Sequence, residues 1–319
     1  MRVLDGSLRY ESIVRHFRGD DPIEHAGDAV AVEAPLQIAI AWSLRGRKIQ
    51  RDVAITMRTP GKSCGGSESG GDCKSGGGGE SGGACENSGA KYCSDDELAV
   101  GYLASEGILT SPSAVLSVNS DGERSVVHVS DDVPVDLMRT RRLTLANASC
   151  GVCGKQDAAD LERPLENVQT IEGFDEAFRV SSAAVMALPD ELRRRQSLFA
   201  KTGGCHGCAF VSQQGDWQVR EDVGRHNALD KLIGAVWMQA RGTPTDAPPV
   251  LSGSILVLSG RVSFEMVQKS LVVGVPILVA VGAPTTAAFD LSKRFGQTLI
   301  GFVDSQRINV YTHAERILS

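Results

Sequence analysis

Two cysteines separated by two residues in a glycine-rich turn, Cys150-Gly-Val-Cys153-Gly154-Lys155, carry more chemistry than any other segment of the chain. Glycine after each thiol frees the backbone for positive φ and leaves the sulfur uncrowded, while Lys155 favours the thiolate, which is the nucleophilic form. A free thiol titrates near ~8.5, so a modest downward shift makes a reactive sulfur at neutral pH. The same motif also suits a structural thiol pair or half of a zinc site, and those readings stand beside the nucleophilic one. A second pair, Cys205-His206-Gly207-Cys208, begins 52 residues after Cys153. Together the pairs offer four thiolates for zinc, but the gap is far wider than in zinc ribbons and zinc would silence both sulfurs. The His-X-Glu and Pro-Cys-X-X-Cys elements of a zinc deaminase are missing.

Three further segments could hold a ligand: Ser259-Gly260-Arg261, Gly282-Ala283-Pro284-Thr285-Thr286, and Gly301-Phe302-Val303-Asp304-Ser305-Gln306-Arg307. Each follows a strand-like apolar run, and the first two lead into helical patterns, so helix-start amides and Arg donors suit a phosphate. Gly and Ser are also ordinary turn residues, which is the plainer reading of any one segment; three together point to a ligand site. No Walker pattern occurs and no GxGxxG follows the first strand, which speaks against nucleotide hydrolysis and dinucleotide redox chemistry. Glu221-Asp222-Val223-Gly224-Arg225-His226-Asn227 sets two carboxylates, a guanidinium and an imidazole at a helix start, where an N-capping network competes with a functional role.

The elements that must position these groups fall into two rhythms. From Asp28 to Met57 an alternating, β-branched pattern predicts three antiparallel strands with turns at Pro35 and at residues 44–47. Residues 61–93 then hold 12 glycines in 33 positions, no Val, Ile, Leu, Phe or Met, and Cys64, Cys73, Cys85 and Cys93. Such a stretch buries no core and reads as a flexible insertion. Ser94-Asp-Asp-Glu97 opens a helix to about Glu106, a hairpin follows at 115–118 and 126–129, and Leu143 to Ala146 lead to the cysteine turn. Beyond residue 180 helices are expected at 182–200, broken by Pro189, at 226–240, at 264–273 and at 286–296. They alternate with strands near 208–212, 217–221, 254–259, 276–281, 298–303 and 308–311, which predicts a largely parallel sheet covered on both faces, with ligands beyond the strands' carboxyl ends.

Composition sets the outer limits. A chain of 319 residues with 42% apolar side chains suits two domains, here 1–170 and 171–319. A net charge of -6 argues against a general nucleic-acid partner. The start, Met1-Arg2-Val3-Leu4, has no apolar h-region, so a reducing, cytoplasmic location is expected. The uncharged run from Ser270 to Phe289 is long enough for a bilayer, but Gly274, Pro276, Gly282 and Pro284 interrupt it, so it reads as a buried strand between turns and no membrane partner is expected.

Taken together, the chain resembles the formate dehydrogenase accessory sulfurtransferase family, FdhD/NarQ. The resemblance rests on Met57-Arg-Thr-Pro-Gly61 resuming at Asp95-Asp-Glu-Leu-Ala-Val-Gly-Tyr, on Cys150-Gly-Val-Cys153-Gly154, on Glu221-Asp-Val-Gly-Arg-His-Asn-Ala-Leu-Asp-Lys231, on Ser259-Gly-Arg-Val-Ser-Phe-Glu-Met-Val-Gln-Lys-Ser270 and on Val310-Tyr-Thr-His313. It implies a sulfurtransferase that takes persulfide sulfur from a cysteine desulfurase onto Cys150, with Cys153 as its partner. The sulfur then goes to the molybdenum of the bis-molybdopterin guanine dinucleotide cofactor, before that cofactor enters formate dehydrogenase. It also implies an α/β fold: a cytidine deaminase-like C-terminal domain without metal, a smaller N-terminal α+β domain, and a homodimer. The cofactor's guanine nucleotide ends, for which GDP is a mimic, would meet Phe302, Val303, Asp304, Ser305, Gln306 and Arg307, with Phe302 against the base and Arg307 at phosphate. Two rivals stand beside this reading: a thiol–disulfide oxidoreductase, although a thioredoxin-like βαβ setting is missing, and a non-catalytic chaperone of the cofactor. Two departures from the family pattern are the insertion at 61–93 and the thiols flanking His206, which leave open a lengthened relay, an adventitious metal or a redox switch.

Overall fold

A computed structural model describes residues 3–4, 6–15, 23–61, 94–131, 163–166, 168–171, 178–241 and 249–319. Near the start, β1 (Val3–Leu4), β2 (Leu8–Arg15) and β3 (Ile23–Ala31) form an antiparallel three-stranded sheet in that order. A second sheet holds β4 (Ala34–Leu44), β5 (Arg47–Arg58), β6 (Val115–Ser120) and β7 (Arg124–Val129) in the order β5-β4-β7-β6. The β4–β5 hairpin closes on Arg45 and Gly46, both at positive φ (52° and 77°), the backbone a two-residue primed turn requires. The single antiparallel sheet expected from Asp28 to Met57 is therefore corrected. Both edges of β4 are taken, antiparallel by β5 and parallel by β7, so β3 pairs with β2 instead.

Helix α1 (Ser94–Ser105) begins with Asp95, Asp96 and Glu97, which complement the positive end of its dipole. Leu98, Ala99, Val100, Leu103 and Ala104 are wholly buried, which marks it as a core helix rather than a surface one.

After β8 (Val180–Ser181), α2 (Ser182–Arg195) and α3 (Ser197–Thr202) lead into a six-stranded sheet. Its strands are β9 (His206–Ser212), β10 (Trp217–Asp222), β11 (Ser254–Leu258), β12 (Ile277–Ala280), β13 (Thr298–Gly301) and β14 (Asn309–Thr312), in the order β10-β9-β11-β12-β13-β14. Three helices complete it: α4 (Arg225–Gln239), α5 (Phe264–Val272) and α6 (Thr286–Arg294). A short β15 (Ile317–Leu318) returns to pair with β8. Only β11, β12 and β13 are mutually parallel, joined by crossovers through α5 and α6; β10, β9 and β14 run antiparallel to their neighbours. The largely parallel sheet expected is corrected to a parallel centre, because the β9–β10 turn and residues 302–308 are too short for the crossover a parallel return needs. A break at Pro189 is corrected too: α2 runs through it, because Val185, Leu188 and Leu192 on either side pack the helix onto one sheet face with Val211, Val257 and Val279. The other face is covered by α4, α5 and α6. The apolar run from Ser270 supplies β12, and no helix among the described residues is long and apolar enough to cross a membrane.

The two halves of the chain share one core. Helices α1 and α4 cross at Gly101 and Gly234; a Cβ on Gly101 would lie 1.8 Å from the Asp230 carbonyl oxygen, and one on Gly234 would lie 1.8 Å from that of Glu97. Around this contact the buried charges are paired, some within one half of the chain and some across the junction. Arg58 grips Asp95 with two bonds of 2.9 and 2.8 Å, Arg220 holds Glu97 at 2.6 Å, and Lys269 donates to Asp230 and to Ser105. Burial raises the Asp230 carboxyl, while burial works against the Lys269 charge and is outweighed by Asp230 and Glu106, which raise it.

Candidate functional site

The parallel strands end at Leu258, Ala280 and Gly301, and the loops beyond them stay locked together. Gly282 N–H donates to the Gly260 carbonyl (3.1 Å) and Phe302 N–H to that of Gly282 (3.3 Å), while Val262 N–H reaches Ala283 (3.1 Å) and Thr285 N–H reaches Val262 (3.0 Å). Glycine is required at 282: a Cβ there would lie 2.9 Å from backbone atoms of Gly260 and Arg261. All three segments singled out from the sequence thus converge on one edge. Phe302 sits there at φ 52°, a left-handed backbone rare for an aromatic residue, with its side chain among the exposed large hydrophobics.

The rest of the 302–307 segment is a tight turn. Val303 is buried against the side of the sheet that α2 covers, and its N–H bonds to Ala280. Asp304 accepts from the backbone N–H groups of Gln306 (2.8 Å) and Arg307 (2.9 Å), and the first of these bonds leads in holding its carboxyl below the usual range. Ser305 and Gln306 are exposed, and Arg307 lies in solvent with its Nε 3.3 Å from Asp304.

The Glu221–Asn227 segment divides its work. Glu221 caps the start of α3, accepting from Leu198 N–H (2.9 Å) and Phe199 N–H (2.8 Å). Asp222 accepts from Thr59 N–H and Gly224 N–H and meets Lys231 Nζ at 2.6 Å, both side chains fully buried. Arg225 and His226 point elsewhere. His226 Nε2 lies 3.0 Å from Glu265 Oε2 at the start of α5. Arg225 is pushed down by burial and then by the charge of Arg261, and His206 by burial and then by Arg225 and His226. A Cβ on Gly260 would touch His206 Nδ1 at 3.4 Å. Four basic side chains, Arg225, Arg261, His206 and His226, therefore gather beside the converged strand ends, with Glu265 as an acidic neighbour. Sequence reading assigned them to three separate motifs; the available signal was an Arg or an Arg-His pair directly after a glycine at two helix starts.

The catalytic candidates Cys150 and Cys153 lie outside the described residues, as do Cys64, Cys73, Cys85 and Cys93. Cys205 and Cys208 are both buried and free. Burial leads in pushing both thiols well up, and at Cys205 the Glu221 carboxylate, 3.4 Å from Sγ, adds to it. Both are protonated at neutral pH and lack the thiolate a relay position needs.

A model of the FdhD/NarQ family matches residues 91–318. A sulfur carrier protein FdhD of Mycobacterium tuberculosis is 36% identical over 321 residues, covering 95% of this chain and 96% of the relative. A sulfur carrier protein FdhD of Saccharolobus solfataricus is 33% identical over 291 residues, covering 91% of each. The crystal structure of a candidate formate dehydrogenase accessory protein from Desulfotalea psychrophila superposes with a TM-score of 0.63 at 22% identity, covering 98% of this chain and 100% of that one.

Proposed function

Because the chain belongs to the FdhD/NarQ family, we propose that it is a sulfur carrier that accepts persulfide sulfur and delivers it to a molybdenum cofactor destined for formate dehydrogenase. In the loading step the Cys150 thiolate attacks the terminal sulfur of a cysteine desulfurase persulfide. The donor S–S bond breaks, the donor cysteine leaves as thiolate, and Cys150 carries the new persulfide, so sulfur moves without net oxidation. Cys153 assists beside it. The cargo, a bis-molybdopterin guanine dinucleotide, is taken at the carboxyl ends of β11–β13, with Phe302 against a guanine and the 302–307 turn along it. A homodimer in the cytoplasm would offer one such edge to each nucleotide end. On this reading the C-terminal unit is a cytidine deaminase-like α/β fold that has kept the strand-end site and lost the metal.

The observation that carries the nucleotide half of this reading is the strand-end edge itself, where an exposed aromatic and a group of basic side chains flank closely spaced glycine backbone. The sulfur half rests on the Cys150-Gly-Val-Cys153 motif in a chain whose relatives are named sulfur carriers. Mass spectrometry after incubation with a cysteine desulfurase and cysteine tests it. The expected result is one added sulfur on the peptide holding Cys150, absent from Cys150→Ala. A loss of two hydrogens would favour a thiol–disulfide oxidoreductase, and an unchanged mass a cofactor chaperone.

A further inference from the structure

Arg225 stands beside the strand ends with part of its guanidinium unsatisfied. Its Nε is buried without a hydrogen-bond partner among the described residues, an arrangement that is costly unless something else completes it. Ser263, the N-cap residue of α5, repeats the pattern: its Oγ is buried and unpartnered and makes no capping bond. Ser at that position ordinarily accepts from the first turn. The N-cap of α4 is Gly224, which has no side chain to offer. Two helix starts, of 15 and nine residues, thus meet without side-chain caps, joined by the His226–Glu265 contact. His226 itself is only 9% exposed, and its Nε2 makes no hydrogen bond of good geometry despite that carboxylate.

The charges point the same way as the unpartnered polar atoms. Arg225 and Arg261 lie close enough to oppose each other, with the Glu265 carboxylate offsetting part of that repulsion. Like charges held together raise the free energy of the empty protein and suit a polyanion. Resting on the reading of the strand ends as a nucleotide site, we propose that Arg225, Arg261 and Ser263 form its diphosphate-binding half, at the joined amino ends of α4 and α5, while Phe302 receives the base. The spacing fits. Gly260, Gly282 and Phe302 are linked in series by backbone hydrogen bonds, and adjacent strands lie ~4.8 Å apart, so the backbones that carry Arg261 and Phe302 are separated by about two strand spacings, ~10 Å. Arg307, which the family resemblance implied at phosphate, is 66% exposed and already paired with Asp304, and on this proposal contributes little.

The test is calorimetry on the full chain with GDP, inorganic pyrophosphate and guanosine, for wild type, Arg225→Gln, Arg261→Gln and Arg307→Gln, with a thermal melt of each. Wild type should bind GDP and pyrophosphate competitively. Arg225→Gln and Arg261→Gln should each weaken both by about ten- to a hundredfold, the worth of a charge-assisted bond, and leave guanosine unchanged. Arg307→Gln should change neither by more than about twofold. Without ligand, Arg225→Gln should melt no lower than wild type, because it removes repulsion; a merely structural arginine would lower it. GDP binding that survives both substitutions, or that falls only in Arg307→Gln, overturns the cradle and leaves the nucleotide reading in place. Pyrophosphate binding without GDP binding keeps the cradle and sinks the nucleotide; failure of wild type to bind either sinks both.

Discussion

Asp222 gathers four contacts on its two carboxylate oxygens. One oxygen accepts from Thr59 N–H and meets Lys231; the other accepts from Gly224 N–H and from Asn227 Nδ2. Because Asp222 and Lys231 are 0% and 2% exposed, Lys231→Met would strand a carboxylate in the core. Urea unfolding should show a loss of about 3–5 kcal/mol. The exposed Arg194–Glu191 pair is the control, and Arg194→Ala should cost no more than about 1 kcal/mol. Equal losses would show that burial is not what makes the first pair matter. His206 gives a pH signature. Its pKa is lowered in the fold, chiefly by burial and then by Arg225 and His226, so the unfolded chain binds the proton first. Its contribution is complete above the unfolded value near ~6.5 and is lost as pH falls below it. As pH falls below ~6.5 the wild type should lose more stability than His206→Gln; parallel curves would remove His206 from the acid response.

At the scale of elements, the α1–α4 crossing admits glycine alone. Gly234→Ala gains about 1 kcal/mol of helix propensity, yet its Cβ would lie 1.8 Å from a backbone carbonyl that cannot rotate away, so the helices must separate. A net loss of more than about 2 kcal/mol is expected in denaturant melts, and a stabilised variant would contradict the close approach. The start of α1 also bears on the insertion. A Cβ on Gly61 would lie 2.4 Å from that of Ser94, so the chain leaves and re-enters the fold at one point. Deletion of residues 62–93 should therefore retain a single cooperative melt near the wild-type temperature. Much of this level was legible in the sequence: the acidic first turn of α1, the β11–α5–β12–α6–β13 alternation and the convergence of its three loops. The directions of β9, β10 and β14 and the partner of β3 were not, because pairing is decided by which strand edges remain free elsewhere in the fold. The basic cluster was hidden for the same reason. Only the antiparallel register that sets His206 opposite Asp222 carries an imidazole from one motif to the Arg225-His226 of another.

At the scale of the molecule, the core argues that the C-terminal sheet depends on the N-terminal half. Helix α1 contributes Leu98, Val100 and Leu103 to the same cluster as Leu229, Ile233 and Trp237 of α4. Ions cross the junction in the same way: Arg220 is held by Glu97, Lys269 by Ser105 as well as Asp230, and Lys231 donates to the Thr59 carbonyl (2.9 Å). Without residues 1–170, α4 would expose its apolar face, and Arg220 and Lys231 would each lose a buried partner. Both penalties fall on the helix whose first turn supplies Arg225 and His226 to the strand-end site. A fragment of residues 171–319 expressed alone should therefore show no cooperative thermal transition and bind hydrophobic dye, although it contains every strand of the six-stranded sheet. Co-expression with residues 1–170 should restore both a cooperative melt and whatever nucleotide affinity the full chain has. A fragment that melts cooperatively by itself at the full chain's temperature would mean that the shared core is an interface between independent folds, and that the strand-end site owes nothing to α1.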